Sequence, residues 1–542
     1  MLRATFRSIH HNGPKVFMST SVKATTENAA NEKKFQHYKN LNALDTTDTQ
    51  PSDWNEARPF EDLPGPKPTP IVGNLWRFVL PKIGDFYGLD FPDILRRIRE
   101  QYGDISILKG LLSGRPMVLL FNPKDFETIY RNEGVWPIRV GLPSLDRYRE
   151  MRKDAMPSFG MPQHQGEEWF KYRSVVNPIL MQPRNNLQYI DKMNLVADEL
   201  VDNVKFLAEQ HNGEMPDNFN NELYKWSLES VGVVTLDKHL GCLKRDLDSH
   251  SETQQLIQSV LQVFELTYKL DILPSMYKYV STSNWRKLVK ALDFILKTNV
   301  KYINQTLDKL QTKEIDINDE TSSVLQKLLK LDRNVAVGMS IDMMLAGIDT
   351  TGRVLAAGLY YLSKNPEKQT QLRNEAVALL QDKDTPITKE ILAKASYLQG
   401  VIKEVTRLAP IAVGNLRTTV KNLIFGGYQV PSGTDVFTCN LALCTSDDYF
   451  PRAKEFLPER WLASGPKELS HKNTNPFVFL PFGFGPRSCI GKRLAHVELQ
   501  TALLKIIRNF ELQWPHEDMT FTTTALYGIT QPLKLHVKCV SQ

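Results

Sequence analysis

A short glycine-rich segment near the C-terminus limits most strongly what this chain can fold into. Residues 482–491 read FGFGPRSCIG and run directly into an amphipathic helix predicted to begin at Lys492. The glycines let the backbone pass close to a large planar group, and they let amides of the loop point at the sulfur of Cys489. At a helix start, free backbone N–H groups and the helix dipole favour a thiolate. Cys489 is therefore predicted to ligate a metal or to act as a nucleophile, although a cysteine outside such a context is usually a small buried hydrophobe.

A predicted apolar helix carries polar side chains in its middle. Asp349, Thr350 and Thr351 interrupt the apolar residues of the predicted helix 340–363, and burying such groups costs free energy unless something uses them. Thr350 is expected to donate a hydrogen bond back to the carbonyl of Ala346, which would open a groove in the helix. A simple helix kink or a polar side turned to solvent is the alternative.

Two further pairs of residues have helical spacing. Glu404 and Arg407 are three positions apart, and Trp169 and Arg173 are four apart, so the members of each pair share a helix face. Acid–base pairs at this spacing are usually solvated surface bridges worth well under about 1 kcal/mol. The flanks of Glu404 and Arg407 are apolar here, and the segment PERW follows at 458–461.

Together these motifs resemble those of the cytochrome P450 superfamily of haem-thiolate monooxygenases. The cysteine segment fits the pattern F-x-x-G-x-R-x-C-x-G, and four motifs occur in family order between residues 169 and 491. The resemblance runs from about Leu63 to the C-terminus. It implies one large haem domain over residues 60–542, mainly α with a small β-rich portion, and haem b as the cofactor.

The resemblance also implies roles for individual residues. Cys489 would be the axial ligand of the haem iron, and the cofactor would contact a set of aromatic and basic side chains: Trp169, Arg173, Arg417, Arg487 and Phe482. Arginine suits a propionate because its planar fork pairs with a carboxylate. Thr350 and Asp349 would be catalytic and deliver protons while dioxygen is activated. A structural network would fix the loop that carries the cysteine: Glu404, Arg407 and Arg460.

Helical spacing runs through most of the chain between residues 90 and 410, whereas strand signals are few and short. The predicted helices span 91–102, 168–180, 190–210, 220–235, 252–270, 285–310, 340–363 and 388–408. The predicted strands span 105–108, 116–121, 426–430 and 533–537.

The N-terminus has the composition of a mitochondrial transit peptide. In residues 1–26 every charged residue is basic: Arg3, Arg7, Lys15 and Lys23. This pattern is typical of transit peptides, and a disordered basic tail is the alternative. Residues 27–59 are predicted to be a polar linker. The formal charge of +6 falls to +2 (6 minus 4) without residues 1–26, so nucleic-acid binding is not favoured.

The cysteines and the hydropathy of the chain argue against several classes of protein. The five cysteines form no C-x-x-C pair, which argues against a zinc ribbon or a disulfide framework and favours a reducing compartment. No run approaches the roughly 18 apolar residues of a membrane-spanning helix. We expect peripheral membrane contact through the apolar segment 270–279, although core packing explains that segment equally well.

Several stretches resemble the mitochondrial branch of the superfamily, and its insect members in particular: residues 133–139, 221–230 and 492–493. This branch is placed on the matrix side of the inner mitochondrial membrane. It takes electrons from a [2Fe-2S] ferredoxin of the adrenodoxin type, which an NADPH-dependent reductase reduces.

An acidic ferredoxin calls for a basic docking patch, because electrostatics steer the encounter of transient redox partners. The candidates are Lys403, Lys492 and Arg493. Gln399 stands where this branch usually has a second basic residue, which weakens the patch.

The implied reaction inserts one oxygen atom of dioxygen into an organic substrate. The expected pocket residues are small or apolar and predict a lipophilic substrate: Leu345, Ala346, 411–413 and 526–529. Xenobiotics such as insecticides and ecdysteroid-type sterols fit this description equally well. A haem-thiolate isomerase without a redox partner and a non-enzymatic haem sensor are the alternatives. The intact Asp349 and Thr350 favour the monooxygenase.

Overall fold

A computed structural model describes residues 50–540 apart from 71, 111–114, 140, 156–159, 246, 249, 274 and 312–321. The predicted transit peptide and the linker up to residue 49 lie outside the described residues. Defined structure begins before the predicted start near Phe60, because Arg58 pairs with a distant hairpin. The amide of Arg58 donates to the carbonyl of Gly427 at 3.0 Å, and its guanidinium lies 3.8 Å from the centre of the Tyr428 ring.

The described residues form a mainly helical structure with a small β portion, which confirms the predicted fold class. The helices are α1 (Trp76–Val79), α2 (Phe91–Tyr102), α3 (Pro123–Arg131), α4 (Pro143–Met151), α5 (Gly166–Leu180), α6 (Pro183–Leu187), α7 (Ile190–Gln210), α8 (Phe219–Thr235), α9 (Glu252–Thr267), α10 (Ser283–Gln311), α11 (Val324–Leu331), α12 (Arg333–Lys364), α13 (Pro366–Leu379), α14 (Lys389–Lys394), α15 (Ser396–Leu408), α16 (Asn440–Cys444) and α17 (Lys492–Asn509).

One predicted helix is two helices in the structure. We expected a continuous helix over 388–408, whereas α14 and α15 are separated at Ala395. The carboxylate of Glu375 in α13 accepts hydrogen bonds from the amides of Tyr397 and Leu398, both at 2.8 Å. An acidic side chain at a helix N-terminus satisfies free amides and complements the helix dipole. A residue of a neighbouring helix therefore sets the start of α15.

The strands belong to one four-stranded sheet and three two-stranded sheets. They are β1 (Ile105–Leu108), β2 (Met117–Leu120), β3 (Asn415–Thr418), β4 (Leu423–Phe425), β5 (Tyr428–Val430), β6 (Asp435–Thr438), β7 (Phe510–Gln513), β8 (Phe521–Thr523), β9 (Tyr527–Ile529) and β10 (His536–Cys539). The large sheet has the order β1-β2-β6-β3, and β2 runs parallel to β6 with Met117 opposite Asp435. The smaller sheets pair β4 with β5, β7 with β10 and β8 with β9.

The strand predictions succeed for β1, β2 and β5 and miss most of the others. The last predicted strand, 533–537, overlaps β10 by only two residues. Strands of three or four residues are too short to show an alternating pattern. β1 and β2 are equally short, but they could be predicted as buried, mainly apolar runs. The missed strand β6 pairs with β2, which lies far away in the chain.

Helix α12 runs through the larger of the two apolar clusters. It is 32 residues long and packs most extensively against α8, with further contacts to α15, α17 and β9. A second cluster surrounds the four-stranded sheet. Helix α17, which directly follows the cysteine loop, packs against α12. Residues 48–542 form one compact unit.

All five cysteines are free thiols. Among the described residues, no helix combines the length and the apolar character that crossing a bilayer would require.

Candidate functional site

The loop before α17 holds Cys489 in a defined position. Gly483 and Gly485 have φ angles of 68° and 69°, in the left-handed region that glycine adopts without steric cost. A Cβ atom at Gly485 would also lie 2.3 Å from Oε1 of Glu133. The amide of Cys489 donates to the carbonyl of Phe482 at 2.9 Å. This hydrogen bond closes the loop.

The surroundings of the Cys489 sulfur influence its charge state. The residue is exposed, yet enough protein surrounds the sulfur that burial raises the pKa of the thiol. The Gly491 amide, Arg173, Lys492 and Arg139 oppose this shift without overcoming it. The Gly491 amide at the helix start thus favours the thiolate, as expected. Burial favours the neutral thiol and has the larger effect. A bound metal cation would reverse the balance, because coordination stabilises the deprotonated sulfur.

Helix α5 contributes Trp169 and Arg173, and both contact the cysteine loop. Trp169 is buried, and the guanidinium of Arg487 lies 4.1 Å from the centre of its ring. Arg173 donates from Nη2 to the carbonyl of Ser488 at 2.9 Å. Arg487 also donates from Nε to the carbonyl of Pro137 at 3.1 Å.

The interior beside the loop holds more positive than negative charge. Arg417 pairs with Glu133, whereas Arg139, Arg173 and Arg487 have no carboxylate partner of that kind among the described residues. Burial and then repulsion by neighbouring arginines lower the pKa of Arg487 to about 8. Burial lowers the pKa of Arg139 and of Arg173 to about 10.

We call the four residues Arg139, Arg173, Arg417 and Arg487 the arginine cluster. Two N–H groups of this cluster are buried and form no hydrogen bond within the described residues. Nε of Arg173 and Nη1 of Arg487 have no hydrogen-bond partner within the described part of the chain. Leaving such groups unpaired is costly, and a guanidinium forms its strongest hydrogen bonds with a carboxylate. The cluster is therefore suited to bind the carboxylates of a ligand next to the sulfur.

Sequence reasoning missed two members of this site. Arg139 and Glu133 were not predicted as functional residues, although both lie in the segment 133–139 that carries the mitochondrial resemblance. That resemblance was the one signal that pointed to them. Arg139 is 350 positions (489 minus 139) before Cys489, so no local pattern connects the two.

The polar residues of α12 lie in two different environments. Thr350 donates from Oγ1 to the carbonyl of Ala346 at 2.6 Å, as expected. Ala346 is exposed and Thr350 half-buried within an otherwise buried stretch, so this side of the helix faces open space. Asp349 is buried and accepts from Nε of Arg353 at 2.8 Å, while its Oδ2 has no described hydrogen-bond partner. The two predicted catalytic residues therefore do not share one environment.

Glu404, Arg407 and Arg460 form a network from which solvent is excluded, since all three side chains are 0% exposed. Arg407 donates to both oxygens of Glu404, at 2.7 and 2.9 Å, and Arg460 donates at 3.1 Å. The Trp461 indole and the Leu457 amide also donate to Glu404, at 2.9 and 3.0 Å. Glu404 and Arg407 therefore do not form the solvated surface ion pair that is usual at this spacing.

The basic residues proposed for docking lie on two neighbouring helices. Lys403 in α15 and Lys492 at the start of α17 both act on His496, whose pKa is lowered by burial and then by these two cations. Arg493 is exposed. Gln399 donates from Nε2 to a carbonyl of α14 at 3.0 Å.

The chain is similar to known proteins over most of its length. The profile of the family described as cytochrome P450 matches residues 63–539. The probable mitochondrial cytochrome P450 12a5 of Drosophila melanogaster is 38% identical over 494 residues, which cover 89% of this chain and 91% of that protein. Cytochrome P450 CYP12A2 of Musca domestica is 37% identical over 497 residues, with 89% and 91% covered. Mitochondrial cytochrome P450 12b1 of Drosophila acanthoptera is 36% identical over 487 residues, with 88% and 90% covered.

Removal of the Glu404 carboxylate is expected to destabilise the protein strongly. Glu404→Ala leaves two buried guanidinium groups without their partner, which costs about 3–5 kcal/mol. The free energy of unfolding, measured by denaturant titration, should fall accordingly. Glu455→Ala is the matched control, because Glu455 pairs with Arg452 in the same region of the chain but at the surface. Its cost should stay below about 1 kcal/mol, and equal stability of the two variants would refute a special role of the network.

Proposed function

The chain belongs to the cytochrome P450 family, and from that premise we propose that it is a mitochondrial enzyme that oxygenates a lipophilic substrate with electrons from a [2Fe-2S] ferredoxin. As a member of that family it is a haem-dependent monooxygenase, and its cofactor is haem b. The observation that carries the site assignment is the exposed residue Cys489 beside a cluster of arginines, two of whose buried donors have no partner within the described residues. In this proposal the haem domain spans residues 60–542 and follows a transit peptide at 1–26.

The residues around Cys489 fit haem b. Cys489 is exposed, and the donors of Arg173 and Arg487 that have no partner within the described residues are suited to the two propionates of the cofactor. When bound, haem b supplies the activation of dioxygen and the transfer of one oxygen atom. Cys489 would ligate the iron, and the porphyrin would be held by the arginine cluster together with Trp169 and Phe482.

Proton delivery is proposed for Thr350 and Asp349 on α12. The Thr350 hydroxyl is directed at the Ala346 carbonyl, which leaves its oxygen free to accept a further hydrogen bond on the open side. Oδ2 of Asp349 forms no hydrogen bond of good geometry within the described residues, although Tyr224 lies close to this carboxylate, while Arg353 holds the other oxygen. Oδ2 is therefore the atom at which a proton would be taken up, and Thr350 would position it at the reacting side.

The buried network is proposed to keep the cysteine loop in place. Arg407 donates to the carbonyls of Cys444, Ala453 and Glu455 at 2.7, 2.7 and 3.0 Å. Glu404 holds that guanidinium and Arg460 at the same time. The network thus ties α15 to the segment 444–461, which leads towards the loop.

The expected pocket segments support a lipophilic substrate. The amide of Tyr527 donates to the carbonyl of Ile411 at 2.9 Å, which brings the segments 411–413 and 526–529 together. Leu345 is buried on α12. In this proposal the substrate side of the site would be lined mainly with small or apolar groups. Spin-state shifts of the haem spectrum, measured with sterols and xenobiotics side by side, will identify the substrate class.

The names of the relatives and the basic patch support the proposed location and electron donor. Several relatives are named mitochondrial. Lys403 and Lys492 lie near the same histidine, and Arg493 is exposed next to Lys492. A patch of this charge suits an acidic ferredoxin.

Peripheral membrane contact is proposed for the segment 270–279 and the adjoining Val280. Leu270 and Tyr277 are buried, but the following described apolar residues are exposed: Ile272 42%, Leu273 41%, Met276 61%, Tyr279 80% and Val280 56%. A cluster of exposed apolar residues marks an interaction surface. We propose that this surface enters the matrix face of the inner membrane.

Charge placed on this surface is expected to weaken membrane binding. The double variant Met276→Glu and Tyr279→Glu should co-sediment less with vesicles of phosphatidylcholine, phosphatidylethanolamine and cardiolipin, by about tenfold or more given the burial lost. Leu195→Glu, at an exposed apolar position on α7, should bind as the unmodified protein does. Equal binding by all three proteins would contradict the proposal.

Cys489→Ser is expected to abolish the thiolate signature of the haem. The reduced protein with carbon monoxide should show the red-shifted Soret band of thiolate ligation, and the variant should lose it. Cys539→Ser changes an exposed cysteine of β10 and should keep the band. Persistence of the band in Cys489→Ser would contradict the assignment of Cys489 as the ligand of the haem iron.

Thr350→Ala is expected to uncouple oxygen consumption from product formation. With ferredoxin, its reductase and NADPH, product formation should fall by as much as about a hundredfold while hydrogen peroxide rises, because a positioned proton donor is lost. Thr370→Ala is the control, since Thr370 donates to the carbonyl four residues back in the same way but is exposed on α13. Unchanged coupling would count against Thr350, and absence of oxygen uptake by the unmodified enzyme would favour an isomerase.

A further inference from the structure

A cleft of about 670 Å³ lies beside the basic patch, between α14, α15 and α17. Part of its wall is apolar, with Leu187, Leu392, Ala393 and Val497. Its charged and titratable residues are Lys389 and Glu390 on α14, Lys403 on α15 and His496 on α17. Gln399 also lines it. A cleft of this composition can accept an acidic side chain of a partner together with its aliphatic part.

His496 connects this cleft to the cysteine loop. Its ring centre lies 5.0 Å from that of Phe482, and the carbonyl of Phe482 accepts the hydrogen bond from the Cys489 amide. Burial and the nearby charges of Lys403 and Lys492 lower the pKa of His496. The imidazole is therefore neutral in the free protein at the pH of an ordinary assay.

The cleft is short of positive charge for an acidic partner. Gln399 is neutral and is bound to α14 through its amide. The ammonium of Lys389 lies 3.6 Å from the carboxylate of Glu390, which offsets its charge. Lys403 also lines the cleft, and within the described residues no neighbouring carboxylate offsets its charge. Lys492 adds a second positive charge beside His496.

We propose that His496 is a conditional cation of the docking site, which takes up a proton when acidic side chains of a ferredoxin dock against Lys403 and Lys492. This inference rests on the proposed use of a ferredoxin. Partner carboxylates would offset the two ammonium charges that disfavour the imidazolium, and they would attract the imidazolium directly. Docking would then supply, only in the complex, the charge that Gln399 does not provide.

The sign of the pH dependence follows from this coupling. Docking raises the pKa of His496 from its lowered value, so a proton is taken up at pH values between that of the free protein and that of the complex. Ferredoxin binding should weaken as the pH rises through the pKa of the complex. Because one proton is involved, Kd should change by at most about tenfold per pH unit.

The test uses the full holoenzyme and an oxidised mitochondrial [2Fe-2S] ferredoxin of the adrenodoxin type. Calorimetric titrations in two buffers with different ionisation enthalpies count the protons taken up on binding, and repeats across pH give the slope of Kd. The unmodified enzyme should take up a measurable fraction of one proton. His496→Gln should lose this uptake, flatten the slope and bind about two- to fivefold more weakly at the acidic end, the range of an exposed ion pair.

Two further variants complete the design. His496→Arg carries a permanent charge and should bind tightly without proton uptake or pH dependence. His250→Gln removes an exposed histidine that does not line the cleft and should behave as the unmodified enzyme. The carbon monoxide spectrum of each variant confirms that the haem site is intact.

The outcomes separate this inference from the proposed function. Unchanged proton uptake and slope in His496→Gln would overturn the role of His496 while leaving ferredoxin dependence in place. Failure of the unmodified enzyme to bind or accept electrons from the ferredoxin would overturn both.

Discussion

A single buried carboxylate organises the part of the protein on which the cysteine loop depends. Glu404 is fully excluded from solvent and accepts hydrogen bonds from Arg407, Arg460, Trp461 and the Leu457 amide. A buried charge is tolerated only when it is paired and its remaining acceptor sites are filled. Each donor is therefore constrained by the others, and through Arg407 the constraint extends to the backbone of the segment 444–461.

The interior next to Cys489 has the opposite electrostatic character. There guanidinium groups outnumber carboxylates, two buried N–H groups have no described partner, and burial disfavours the thiolate. Two carboxylates of a ligand would offset the excess positive charge and accept hydrogen bonds from the two N–H groups. A central cation of the same ligand would stabilise the thiolate. Haem b has these charges, so binding it contributes to stability as well as to chemistry, in proportion to how much better it binds the folded state.

Local patterns predicted some parts of this architecture well and others poorly. The helices 91–102 and 190–210 were predicted to the residue, because an amphipathic period of many turns is a strong local signal. The division between α14 and α15 was missed, because the carboxylate that caps α15 belongs to Glu375 on another helix. The ion pair between Arg353 and Asp349 was not predicted either, because the motif around Asp349 and Thr350 does not reveal it.

The sequence by itself determined the family, the cysteine that can ligate a metal, and the long helices, because each of these depends on residues close together in the chain. Only the tertiary structure decided the composition of the arginine cluster, the burial of Glu404 and the surroundings of His496. Arg139, Arg173, Arg417 and Arg487 come from four separate segments, and Lys403 meets His496 only where α15 packs against α17. Electrostatic interactions and burial act through space, and distance along the chain does not determine distance in the fold.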